Sequence, residues 1–140
     1  MKILELLTRE RRLGNIGERI AARELKKKGY KIIKRNFVAT DAEIDIICES
    51  KTTLAFVEVK TRTLGRENPR EMRPASAVTA DKQRKIIGAA QEFLATREKG
   101  KRISLDIVEV YLDGKGKKSN VVHIENAFNR NTAKKGYFYR

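Results

Sequence analysis

The chain has 140 residues, 40% of them hydrophobic and 36% charged, with a formal net charge of +14 at pH 7. That is one domain's worth of chain with enough apolar content for a core, and its basicity implies a polyanionic partner, either nucleic acid or an anionic membrane surface. A single cysteine, Cys48, and a single histidine, His123, exclude an internal disulfide framework and a His-rich metal site, and no apolar run approaches the ~18 residues that span a bilayer.

No secretory h-region precedes Arg9-Glu10-Arg11-Arg12, so the expectation is a soluble cytoplasmic protein. Residues 9–28 read as a helix, with Leu13, Ile16, Ile20, Ala21 and Leu25 on one arc and Arg12, Arg19, Arg23 and Lys26 on the outer face. Glu18 falls at the margin of the buried arc. Gly29 supplies the stop after Lys26-Lys27-Lys28, whose charges suit a helix C-terminus. Three strands follow at 30–38, 44–48 and 54–60, the last two rich in β-branched residues. Residues 61–76 hold both prolines, Pro69 and Pro74, together with Arg62, Arg66, Arg70 and Arg73, and read as a long polar loop.

A second helix is predicted over 77–98, with Ile86, Ile87, Ala90 and Leu94 as its seam and Lys82, Arg84 and Lys85 in its first turns. Residues 103–112 form a fourth strand, Asp113-Gly114-Lys115-Gly116 a turn and 121–124 a short fifth strand. The expected organisation is a single domain over 1–128 and a basic tail over 129–140 carrying Tyr137, Phe138 and Tyr139. The order helix, three strands, helix, two strands predicts an α/β domain with a mixed sheet flanked by helices. Short links favour antiparallel hairpins among the first three strands, and the helical crossover favours a parallel third and fourth.

The acids of this basic chain gather in two stretches: residues 37–59 carry a net −4 and 103–113 a net −3. Within the first, Asp45 lies central to one apolar strand, and Glu58-Val59-Lys60 ends the next. Strand alternation puts Glu58 and Lys60 on one face, and pairing of the two strands brings Asp45 toward Glu58. Bare carboxylates about 4 Å apart repel by roughly 4 kcal/mol at an effective dielectric near 20, and a divalent cation with oxygen ligands offsets that directly. Lys60 beside such a pair can orient or polarise an attacking water. The plainer reading is a surface ion pair of Glu58 with Lys60 or Lys31. Glu43 shares the face of Asp45 and reads either as a supporting carboxylate or as an exposed acid. Arg62, Arg66, Arg70 and Arg73 suit a phosphate backbone, as do Lys82, Arg84 and Lys85, whose charges oppose the helix dipole unless an anion sits there. His123 and Cys48 read as core or strand residues, with no second His or Cys to partner either.

Several stretches together resemble the YraN-like (UPF0102) endonuclease family of the PD-(D/E)xK, restriction-endonuclease-like superfamily. They are Gly14-Asn15-Ile16-Gly17-Glu18 with Ala21 and Ala22, Arg35-Asn36, Glu43-Ile44-Asp45-Ile46-Ile47, and Phe56-Val57-Glu58-Val59-Lys60-Thr61-Arg62. Ala77-Val78 with Lys82 and Arg84-Lys85, then Asp106-Ile107-Val108, continue in family order. Ala42 and Ser104 depart from that family's glycine and arginine. The resemblance implies an αβββαβ core, with Mg2+ or Mn2+ held by Asp45, Glu58 and the Val59 carbonyl. It also implies Glu18 as a supporting metal and catalytic residue and Lys60 as the water-positioning residue. The expected function is metal-dependent endonucleolytic hydrolysis of DNA, with branched or repair-intermediate DNA as a substrate class. Paired cuts would require a homodimer. The alternatives are a non-catalytic nucleic-acid-binding module with a nuclease-like fold and, third, a ribosome-associated basic protein. No membrane partner is expected.

Overall fold

In the computed structural model the described residues are 2–64, 78–97 and 100–134. Arg66, Arg70, Arg73 and the aromatic trio Tyr137, Phe138 and Tyr139 lie outside them. The elements run α1 (Ile3–Lys27), β1 (Lys31–Val38), β2 (Glu43–Glu49), β3 (Thr53–Thr63), α2 (Ala80–Leu94), β4 (Arg102–Leu112), β5 (Lys118–Ile124) and α3 (Arg130–Lys134). The five strands form one mixed sheet in chain order, β1-β2-β3-β4-β5. All neighbours are antiparallel except β3 and β4, whose parallel ladder is made possible by the α2 crossover. This is the predicted α/β architecture, a mixed sheet flanked by helices and consistent with a restriction-endonuclease-like core.

Alternation along β3 divides the core in two. Ala55 and Val57 face α1, packing with Ala21, Leu25, Ile46, Cys48, Val108 and Val110. Leu54 and Phe56 face α2, packing with Ala89, Ala90 and Phe93. Phe37 and Phe56 both meet Phe93 edge to face, with centroids 5.4 and 5.8 Å apart. Beside them, Val78, Ile86, Ile107, Ala127 and Phe128 continue the α2 side.

Several boundaries differ from the expected ones for physical reasons. The first helix starts at Ile3 rather than residue 9, because Ile3, Leu4 and Leu7 are exposed and a reading based on a buried stripe passes over them. The second helix covers 80–94 rather than 77–98. Thr79 caps it by accepting from the Lys82 backbone N–H at 3.1 Å, and the Thr96 hydroxyl closes on the Phe93 carbonyl. The third strand runs on to Thr63, into the expected loop, because β4 continues beside it to Leu112. The fifth begins at Lys118, its polar first half lying on the sheet edge. The expected tail opens with α3, started by Asn129 accepting from the N–H groups of Asn131 and Thr132.

Besides the register shifts at Ile32/Lys34 and Tyr111/Leu112, the sheet has an irregularity at the β1–β2 end nearest Asp45. Ile44 packs on the α2 side and Ile46 on the α1 side, although residues two apart on a regular strand share a face. The break falls at Asp45 and, by the flanking pairs Arg35↔Ile46 and Phe37↔Ile44, at Asn36 opposite it. Asn36 has φ +54°, a left-handed conformation inside a strand.

Candidate active site

The β2–β3 ladder ends at the pair Ile46↔Val57. One residue farther, Asp45 Oδ2 accepts from the Val59 backbone N–H at 2.8 Å, so a side chain takes over where the backbone partner is lost. A residue's N–H and C=O project to the same side of a strand, which sets the Val59 carbonyl on the Asp45 side of β3. The parting strands thus leave a notch edged by a carboxylate and a backbone carbonyl.

Glu58 is buried beside this notch, and Lys60 Nζ stands 3.4 Å from its Oε1. The predicted shared face is present, and so is the ion pair of the plainer reading. α1 delivers Glu18 to the same place because Gly17 lets the helix lie directly on β3. A Cβ at Gly17 would stand 1.8 Å from Thr61 Oγ1. Asn36 reaches Glu18 from the sheet. Only acceptors surround one end of its amide, so the nitrogen is the atom that faces them, donating to Glu18 Oε1 at 2.9 Å and Glu43 Oε1 at 3.2 Å.

These carboxylates act on one another. Asp45 is pushed up to about 7, first by burial and then by the charge of Glu58, with Glu18 adding and the Val59 N–H and Lys60 opposing. Glu18 is also raised, first by burial, then by Glu43 and Glu58 against the pull of Arg35. Among the described residues no three His, Cys, Asp or Glu side chains stand close enough together to hold one ion. The oxygen donors along the notch are therefore the Asp45 and Glu58 carboxylates with the Val59 carbonyl, while Glu18 is coupled to them through space and held by Asn36.

The basic residues are split. Arg62 lies two residues beyond Lys60 on β3. Lys82, Arg84 and Lys85 sit in the first turns of α2, where Arg84 and Lys85 pair with Asp81 at 3.7 and 3.2 Å. Arg84 and Lys85 line a cavity of about 200 Å³ with Asp41, in the turn that leads into Glu43 and Asp45. Sequence reasoning missed Glu109, which is 2% exposed on β4 and registers with Lys60. The Tyr111 hydroxyl donates to Glu109 Oε2 at 3.0 Å. Burial raises Glu109, with Tyr111 and then Arg62 opposing. The available signal was its offset from Asp106 by an odd number, which alternation assigns to the Glu58 face.

A second polar cluster lies on the α1 face. Asp106, fully buried, accepts from the Ser104 hydroxyl and from the Asn126 N–H at 3.1 Å, and its Oδ2 is 2.8 Å from His123 Nε2. Lys28 Nζ meets His123 Nδ1 at 2.6 Å, and the Tyr30 ring stacks edge-on against the imidazole. His123 therefore has a carboxylate partner, which the β4–β5 register supplies and counting histidines did not reveal. Where the resembled family carries arginine, the Ser104 hydroxyl here serves Asp106. Cys48 is buried, with its thiol pushed up to about 12, first by burial and then by Asp106, which makes it an inert core residue. Among the described residues no helix is long and apolar enough to cross a membrane.

The family model described as uncharacterised protein family UPF0102 matches residues 17–110. A UPF0102 protein of Desulfosudis oleivorans is 44% identical over 129 residues, covering 91% of this chain and 98% of the relative. One from Caldanaerobacter subterraneus is 44% identical over 118 residues, covering 83% and 93%. One from Geobacter metallireducens is 40% identical over 117 residues, covering 83% and 91%. The matched span holds Gly17, Glu18, both strands of the notch and the start of α2, and relatives are covered almost end to end. The chain belongs to uncharacterised protein family UPF0102, the YraN-like family.

Proposed function

We propose that this protein is a metal-dependent endonuclease that hydrolyses phosphodiester bonds in DNA, with Mg2+ or Mn2+ at Asp45, Glu58 and the Val59 carbonyl. The observation that carries this reading is the Asp45–Glu58 pair at the end of the β2–β3 ladder, where burial and like charge push Asp45 up to about 7. Asp45 caps the Val59 N–H and Glu58 pairs with Lys60, but neither contact removes the repulsion between the two acids, and strongly perturbed acids cluster at functional sites. The donor set is all oxygen, which fits a hard divalent cation. Such an ion, when bound, neutralises charge on the phosphoryl group and polarises it.

The chain's own residues do the rest. Lys60 Nζ, 3.4 Å from Glu58, orients the attacking water and moves toward the phosphate when Glu58 is otherwise engaged. Arg62, Lys82, Arg84 and Lys85 hold the phosphate backbone, joined by Arg66, Arg70 and Arg73 from outside the described residues. Glu18 adds negative charge from α1. Branched or repair-intermediate DNA is the proposed substrate class, and paired cuts would require a homodimer with two notches.

A second reading, a nucleic-acid-binding module without catalysis, draws on one observation: Lys60 already neutralises Glu58 from within the chain. Cleavage of duplex, single-stranded, flap and four-way-junction DNA and of RNA separates the two. Asp45→Ala and Lys60→Ala should abolish Mg2+- or Mn2+-dependent cutting while binding persists. Tight, salt-sensitive binding with no cutting in any metal would exclude the endonuclease and leave the binding module.

A further inference from the structure

Asn36 occupies a position where a strand residue has little reason to be. Its φ of +54° belongs to the left-handed region that asparagine tolerates better than other side-chain-bearing residues. The flanking register pairs set it directly opposite Asp45. At this pair both strands change face, as Ile44 and Ile46 show by packing on opposite sides of the sheet. The turn that breaks the alternation also delivers the Asn36 amide to Glu18 at 2.9 Å and Glu43 at 3.2 Å. Strained backbone held at a site of converging charge is a recurrent mark of a functional position.

The chemistry of the amide suits the task. One NH2 group has two donors, and here each serves a different carboxylate, one from α1 and one from β2. Lysine or arginine in its place would cancel charge. The amide draws Glu18 and Glu43 to one point and leaves both charges in place. Aspartate would adopt the same backbone but add a third carboxylate, and glycine would adopt it with no donor at all.

Resting on the nuclease reading above, we propose that Asn36 is the positioning residue of the site. Its left-handed turn aims one amide that ties the α1 carboxylate Glu18 to the strand carrying Asp45. Asn36→Gly separates the two roles, since glycine keeps the backbone and removes the amide. The expected result is thermal unfolding near that of the wild type, kcat lower by about 10- to 100-fold and KM for DNA unchanged. Asn36→Asp, with the same shape and the same backbone tolerance, should lose rate to at least the same degree.

A readout independent of cleavage follows the Asn36 side-chain NH2 resonances by NMR in the metal-free protein. Both protons should lie downfield as donors to carboxylates, and Glu18→Ala should move one of them while Glu5→Ala moves neither. Unmoved NH2 signals in Glu18→Ala, or wild-type kcat in both Asn36 variants, would overturn the proposal. If the wild-type protein cuts no substrate, the nuclease reading falls, and the NMR comparison still decides whether Asn36 holds Glu18.

Discussion

Gly17→Ala tests how closely α1 lies on the sheet. The added Cβ would stand 1.8 Å from Thr61 Oγ1, 2.9 Å from Thr61 Cβ and 3.0 Å from Thr61 Cγ2. Ordinary contact needs about 3.4 Å, so the deficit at the hydroxyl is about 1.6 Å. Rotating Thr61 gives no relief, because its Cβ is itself too near and one branch replaces the other. The helix must lift, loosening Ala21 and Leu25 from the strands beneath. Overpacking of this kind costs about 1–3 kcal/mol, and the better helix propensity of alanine returns about 1 kcal/mol. The expected net loss is up to about 2 kcal/mol, which at its upper end is about 4–8 °C in Tm, against the gain expected for alanine at an open helix site. Gly14→Ala provides the control, three residues earlier on the same helix, where a Cβ would meet nothing within 4 Å. It should stabilise by about 1 kcal/mol. Urea unfolding of both variants, with Thr61→Ala added to complete a double-mutant cycle, measures the coupling. Equal gains in stability for Gly17→Ala and Gly14→Ala would refute the close approach, and with it the delivery of Glu18 by that contact.

Asp45 titrates near 7 when folded against an ordinary 3.8, so the folded chain holds one extra proton between those values. Stability of the metal-free protein should therefore fall by about 4 kcal/mol as pH rises from 4 to 7 and level off above. Asp45→Asn should remove that slope and raise the urea midpoint at pH 8; a retained slope would place its origin elsewhere. His123→Phe strips the partner from a fully buried Asp106 and should cost about 3–5 kcal/mol. A loss below about 1 kcal/mol, measured by chemical denaturation, would mean that Ser104 and Asn126 satisfy Asp106 without it.

Strand identity was legible because β2 and β3 are runs of β-branched and apolar residues, and their pairing sense followed from the length of each connection. The buried stripe of α1 from Leu13 to Leu25 was equally legible. Its first turns were not, because Ile3, Leu4 and Leu7 cover nothing in the core. At the candidate site, the shared face of Glu58 and Lys60 was readable from alternation, and the approach of Asp45 from the pairing of its strand with β3. Asn36 was not, since its role depends on a left-handed backbone that composition does not announce. Glu109 and the His123–Asp106 pair needed the β3–β4 and β4–β5 registers, which set who stands beside whom and leave no periodic trace.

Every partner pair between β3 and β4 is separated by 49 residues, from Thr53↔Arg102 to Thr63↔Leu112. All other strand neighbours are hairpins and can form as soon as they are synthesised. A ribosome adding about 5–20 residues per second therefore finishes β3 about 2–10 s before it finishes β4. Through that interval the nascent chain offers an unpaired edge carrying Leu54, Phe56 and Val57, the kind of template on which strands of other chains can add. The joint that completes the sheet is thus also the moment in biosynthesis at which a chaperone has the most to protect.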